Sequence, residues 1–317
     1  MNYANLIAPH APAKALEAYE RALAITRKGM GELDPAELEL RVAETGLTVD
    51  IENHERALAL ESLLANQPTA PGRISEALAL GWFVLAQYNA NKHKYSAAKS
   101  DADKAVEAAS KLDPPYPSLL AQSLLLAGGV RITRPDRAEK DIIEAIALFD
   151  AAFPLFPPQA DIDRFDPLLA RLISWRQSVA ALANAYGSTW KTKTGSRLPT
   201  GEDLKSAFET AQARSTVESE VRWENPHPEY CDADDNWKSR ELPNYPASAV
   251  NAGLIGGIVI GYDLNDTGVE RTIVLADLEK AKFGKNAVEA MANWRLAKPL
   301  PEECRKNHLA IFSFTIE

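Results

Sequence analysis

Metal-binding side-chain types gather in one stretch of this 317-residue chain: His227, Cys231, Asp232, Asp234 and Asp235. A structural zinc site takes four ligands at tight, paired spacings, and one cysteine with one histidine do not supply them. The stretch reads as an acidic linker. Asp263-x-Asn265-x-Thr267-Gly268 has the rhythm of a calcium loop, but the twelfth position, which needs a bidentate Glu, is Val274. A hairpin turn is the better reading. Gly253-x-x-Gly256-Gly257 would cradle a phosphate only between a strand and a helix, and here a strand follows the glycines. The five histidines, at positions 10, 54, 93, 227 and 308, show no His-Glu-x-x-His spacing. No Gly-x-Ser-x-Gly elbow or Ser-x-x-Lys nucleophile stands out either. Carboxylate pairs such as Glu37/Glu39 and Asp101/Asp103 fit solvated helix faces. The expectation is no catalytic residue, no cofactor and no metal, and therefore no enzyme.

The elements around these residues fall into two kinds. Residues 10–221 are rich in alanine and leucine, with apolar residues at helical spacing, as in Leu168, Leu172, Trp175, Val179 and Leu182. Breakers cluster at 29–35, 68–72, 113–117 and 154–158, marking turns between helices. Ala15-x-x-x-Tyr19-x-x-Ala22 recurs as Ala98-x-x-x-Ala102-x-x-Ala105 and Ala138-x-x-x-Ile142-x-x-Ala145, with Leu204-x-x-x-Phe208-x-x-Ala211 a looser copy. Glu55-Arg56-Ala57-Leu58 echoes Glu20-Arg21-Ala22-Leu23, which makes the period roughly 40 residues. Small residues seven apart let two helices approach closely, the packing need of stacked helical hairpins. The pattern resembles tetratricopeptide repeats and their longer variants, without a regular Trp-x-x-Leu-Gly-x-x-Tyr first helix. Residues 183–187, Ala-Asn-Ala-Tyr-Gly, come nearest to one. An α-solenoid over 1–222 is expected, with an ordinary helical bundle as the alternative. Trp82, Trp175 and Trp190 then serve as core, or as a platform for a bound peptide.

The second kind begins after residues 223–242, where prolines and acids without periodicity mark a linker. Two strand-like runs, 258–264 and 269–275, flank Asn265-Asp266-Thr267-Gly268 and predict a hairpin. Phe283, Ala287, Ala290, Met291 and Trp294 give one apolar helical face over 282–296, which Pro299 and Pro301 end. Alternation over 308–316 predicts a last strand, with Ala310, Phe312, Phe314 and Ile316 on its apolar face.

Within 245–299 stand Tyr245-Pro246-x-x-Ala249, Gly253-x-x-Gly256, the turn glycine Gly268, Phe283, spaced alanines and Trp294-Arg295-x-x-x-Pro299. Residues in this order resemble the C-terminal domain of the TonB energy transducers. The resemblance implies a small α+β domain over 243–317: helix, hairpin, helix and an edge strand. It implies a periplasmic, non-enzymatic protein-binding protein. Its partner would be an outer-membrane transporter or another envelope protein that adds an extended peptide to the last strand. On that reading the partner-binding residues are Tyr245, Pro246, Ala310, Ile311, Phe312, Ser313, Phe314, Thr315 and Ile316. The family's Gln-Pro-x-Tyr-Pro opening here has Leu242 in place of Gln, and neither an anchoring helix nor a proline-rich spacer is seen. A periplasmic scaffold that keeps the fold without energy transduction is the alternative reading, with an enzyme subunit behind it. In the oxidising compartment so implied, the two cysteines, Cys231 and Cys304, are expected to pair, and two buried free thiols are the alternative.

Composition sets the outer bounds. With 46% hydrophobic and 25% charged residues the chain reads as soluble and globular, long enough for two domains. A net charge of −9 argues against nucleic acid and anionic membrane surfaces as partners. No run of 18 apolar residues and no signal-like N-terminus appears, so an exporting or anchoring segment is expected to be missing from this chain.

Overall fold

A computed structural model of the chain describes residues 2–30, 33–67, 74–133, 139–187, 231, 236–252, 256–277 and 283–314. It is mainly helical, with a small sheet region toward the C-terminus. Two compact units part between Pro135 and Asp136.

The first unit runs α1 (Asn2–Ile7), α2 (Pro12–Arg27), α3 (Pro35–Val49), α4 (His54–Ala65), α5 (Glu76–Asn91), α6 (Tyr95–Ser110) and α7 (Pro117–Thr133). Proline at the first position of α2, α3 and α7 fits a place where no backbone donor is needed. The side chains of Asp34, Asn53 and Ser75 accept from Ala36, Arg56 and Leu78 backbone N–H, capping α3, α4 and α5. Each helix packs on the next, and α3 also packs on α5 and α5 on α7. The repeated small residues sit in these seams. Ala15 and Tyr19 are buried, as are Ala98, Ala102 and Ala105. Turns of this unit fall near the expected breaker clusters at 29–35 and 113–117, and three more arise away from any of them, at 8–11, 50–53 and 92–94. The cluster at 68–72 lies outside the described residues. At 92–94 His93 takes a left-handed φ of 57°.

Asp101 departs from its expected solvated position. It is buried and accepts from Asn89 Nδ2 at 2.8 Å, and burial pushes its carboxyl above the ordinary range. Asp103 pairs with the buried Arg131 at 2.7 Å. These acids fasten α6 to α5 and α7.

The second unit holds α8 (Glu139–Ala152), α9 (Pro167–Gly187), β1 (Trp237–Ser239), α10 (Ala247–Ala252), β2 (Gly256–Leu264), β3 (Val269–Asp277), α11 (Phe283–Met291), β4 (Arg295–Leu296) and β5 (His308–Phe314). Its main sheet has the order β3-β2-β5, all antiparallel, and β1 pairs with β4 apart from it. The hairpin falls where the sequence puts it. Asn265 Oδ1 accepts from the N–H groups of Thr267 and Gly268 at 2.9 and 3.0 Å, closing the turn.

The central strand β2 is buried on both faces. Ile258, Ile260, Tyr262 and Leu264 point into a core shared with Phe283, Ala287 and Met291 of α11, Trp294, and Ala310, Phe312 and Phe314 of β5. On the opposite face lie Gly257 and Gly261. A Cβ at Gly257 would collide with the Ser174 carbonyl of α9, and one at Gly261 would come within 2.9 Å of Ile162. Gly257 lets α9 lie directly on the sheet, and Gly261 admits Ile162 of the turn before it.

That contact moves the domain division. Composition alone puts the helical region at 1–222, whereas α8 and α9 belong to the compact unit that carries the sheet. Two parts of the expected 223–242 linker are likewise built into this unit. Cys231 is buried in its core, and Trp237 pairs with Leu296.

Candidate functional site

Among the described residues β5 pairs only with β2, which leaves the other edge of β5 unpaired. Seven residue pairs join the strands, from Gly256 opposite Phe314 to Tyr262 opposite His308. An edge of this kind presents main-chain donors and acceptors to an added strand.

The side chains expected to meet a partner divide sharply. Ala310, Phe312 and Phe314 are buried, with Phe314 stacked on Phe283 at 4.4 Å between ring centres. Ile311 is half-buried, and Ser313 is exposed, its hydroxyl donating to Gln177 Oε1 at 2.9 Å. Pro246 is buried and accepts through its carbonyl from Ala249 N. Tyr245 packs edge-on against both Phe283 and Phe314, at 5.6 and 5.8 Å. Tyr245 and Pro246 therefore brace the core behind β5, and Ser313 lies on the strand's other face, toward α9. Thr315 and Ile316 lie outside the described residues.

The base of β5 is heavily fastened. Cys231 and Cys304 form a disulfide, both buried. His308 stacks on Tyr262 at 5.1 Å, and its Nε2 lies 2.8 Å from the Cys304 carbonyl. Asn307, at a left-handed φ of 61°, donates its N–H to Asp263 and accepts from Ile162 N. Arg271 bridges Asp263 and Asp163, tying the hairpin to the turn before α9. Asp263, read at first as a failed calcium ligand, is thus a junction in this network. His227, Asp232, Asp234 and Asp235 lie outside the described residues, as does Gly253.

A second feature escaped the sequence reading. A cleft of about 250 Å³ opens between residues 241–244 and α11. Asn286 donates to the Asn244 carbonyl at 2.7 Å, and Asn293 to Glu241 at 3.0 Å. Trp294, fully buried, donates its indole N–H to the Glu241 carbonyl. Asn286 and Glu289 of α11 and Asn293 just past its end recur at spacings of three and four, beside the apolar stripe. That spacing was the available signal.

The first unit has a polar interior of its own. Buried Arg41 pairs with Glu37 at 3.2 Å and Glu76 at 3.5 Å. Beside it, Glu44 is also buried, and one of its carboxylate oxygens accepts no hydrogen bond from the described residues. Burial pushes this carboxyl up to about 7, against the opposing pull of Arg41 and the Thr45 hydroxyl.

Among the described residues no helix is long and apolar enough to cross a membrane. No family model and no curated protein matches the chain.

Proposed function

We propose that the chain is a TonB-like, non-enzymatic protein-binding protein of the cell envelope, whose second unit takes up an extended peptide along β5. The observation that carries this reading is the position of β5 at the edge of the β3-β2-β5 sheet. The opening Tyr245-Pro246, the hairpin, the apolar helix and Trp294-Arg295 stand in the order the family has. The core packing of Tyr245, Phe283, Trp294 and Phe314 supports the likeness. A disulfide is compatible with the periplasm, where such a protein would work.

A scaffold role without energy transduction is the second reading. It is favoured by Leu242, which is 80% exposed where the family has a polar Gln. The first unit would then be a helical-repeat interaction domain of tetratricopeptide type.

Hydrogen exchange on the full chain tests the proposal, with and without peptides from the segments by which outer-membrane transporters meet TonB proteins. Slowed exchange confined to 308–314 is the expected result. Slowed exchange elsewhere, or none at millimolar peptide, would remove the strand-addition reading.

A further inference from the structure

α2 and α4 each pack on α3, but they form no substantial packing with one another. A trough of about 600 Å³ runs between them with α3 as its floor. Its walls and floor are three stripes at helical spacing: Leu16 and Leu23 of α2, Val42 and Ala43 between Glu39 and Gly46 of α3, Ala59 and Leu63 of α4. From Leu16 to Arg27 the α2 wall is about 16 Å long, three turns of helix. The shape is that of a helical packing site with one helix missing, and an apolar ridge at i, i+3, i+4 and i+7 fills such a trough.

Charge selects among occupants. Arg27 and Arg56 both line the trough and both are engaged, Arg27 with Glu39 at 2.6 Å and Arg56 with the Gly46 carbonyl. Glu20 also lines it, is exposed, and makes no ion pair with any described residue. The four charged lining residues, Glu20, Glu39, Arg27 and Arg56, balance, so the sign comes from the wider field. Residues 1–67 contain six Lys or Arg and eleven Asp or Glu, over half of the chain's net charge of −9. A second copy of the chain would meet this field with more negative charge, and an anionic bilayer would be repelled. A helix with an apolar ridge and flanking lysines or arginines meets both the shape and the sign.

We infer that the α2–α3–α4 trough is a docking surface for a cationic amphipathic helix of a partner protein, seated on α3 with a basic side chain against Glu20. The mode is helix-in-groove burial, distinct from strand addition at β5 and independent of it.

The test is fluorescence anisotropy on the full chain with a labelled 18-residue probe peptide. The probe carries leucines at i, i+3, i+4 and i+7 and lysines on the flanks, and its control has the same composition in scrambled order. Saturable binding of the patterned peptide is expected, with gain of helicity by circular dichroism. Ala59→Trp, a substitution at an exposed position that fills the trough, should weaken it about tenfold. Glu20→Lys should weaken it about threefold at low salt. Thermal unfolding of both variants checks that the helices remain. Failure of the patterned peptide to bind, equal binding of the scrambled control, or binding that ignores both substitutions would each overturn the proposal. Self-association of the chain that Ala59→Trp abolishes would make a second copy the occupant and overturn it equally.

Discussion

The Ser174 hydroxyl donates to the Gly257 carbonyl, joining the middle of α9 to the central strand of a sheet 83 residues further along the chain. The bond exists because Gly257 has no side chain to hold the helix off. Gly257→Val should therefore overpack the contact and cost about 3 kcal/mol, at the upper end for core insertions. Ser174→Ala, which removes only the hydroxyl, should cost about 1 kcal/mol. Urea midpoints of the two variants give the comparison, and equal losses would show that close approach is not what the glycine provides.

The disulfide between Cys231 and Cys304 closes a loop with a sequence separation of 73. On the chain-entropy account, a loop of that size contributes about 4 kcal/mol. Replacing both cysteines with serine should lower the denaturant midpoint of the second unit accordingly. The first unit contains neither cysteine, and its transition should stay where it is.

Glu44 makes the first unit sensitive to pH. Its folded-state value of about 7 lies above the ordinary 4.5, so the folded state holds the proton more tightly than the unfolded chain. The carboxyl's contribution is then fully present below about 4.5 and declines as pH rises toward 7. Beyond 7 it is constant, about 3 kcal/mol lower. Glu44→Gln should flatten this profile and be the more stable form at pH 8. Arg41, Glu37, Glu76 and Tyr19 face the same carboxyl.

Trp294 anchors the aromatic core, edge-on to Trp237, Tyr262 and Phe312 at ring separations of 5.1, 6.0 and 5.9 Å. Trp294→Ala should cost about 3–5 kcal/mol. Trp294→Phe keeps most of the volume and loses the bond to the Glu241 carbonyl, so about 1–2 kcal/mol is expected. Thermal melts of the second unit distinguish the two.

Local chemistry was legible in the sequence and long-range partnership was not. The Asn265–Gly268 turn and the alternation of β5 are written in neighbouring residues and stand where expected. By contrast, α11 stops at Met291 instead of running to 296, because Arg295 and Leu296 pair with Ser239 and Trp237 as β4. The turns at 50–53 and 92–94 have no Pro or Gly cluster to announce them. One rests on the Asn53 cap, the other on a histidine in the left-handed region. The docking of α9 on β2 is not legible in the strand pattern, because Gly257 stands at the entry to the strand-like run 258–264 and Gly261 inside it. A glycine inside a strand also marks close approach by another backbone, which was the signal to follow. The burial of Asp101 had no such signal, since its partner Asn89 sits on a different helix.

The anchoring of β5 has a mechanical consequence. Its seven residue pairs with β2 run along the strand axis. A pull directed along that axis loads every cross-strand hydrogen bond together, whereas a pull across it opens them one after another. Force applied from the far end of β5 reaches Cys304 only four residues before the strand begins, and there a covalent bond to Cys231 halts further extraction. The strand is thus built to bear load in shear, with a stop at its root.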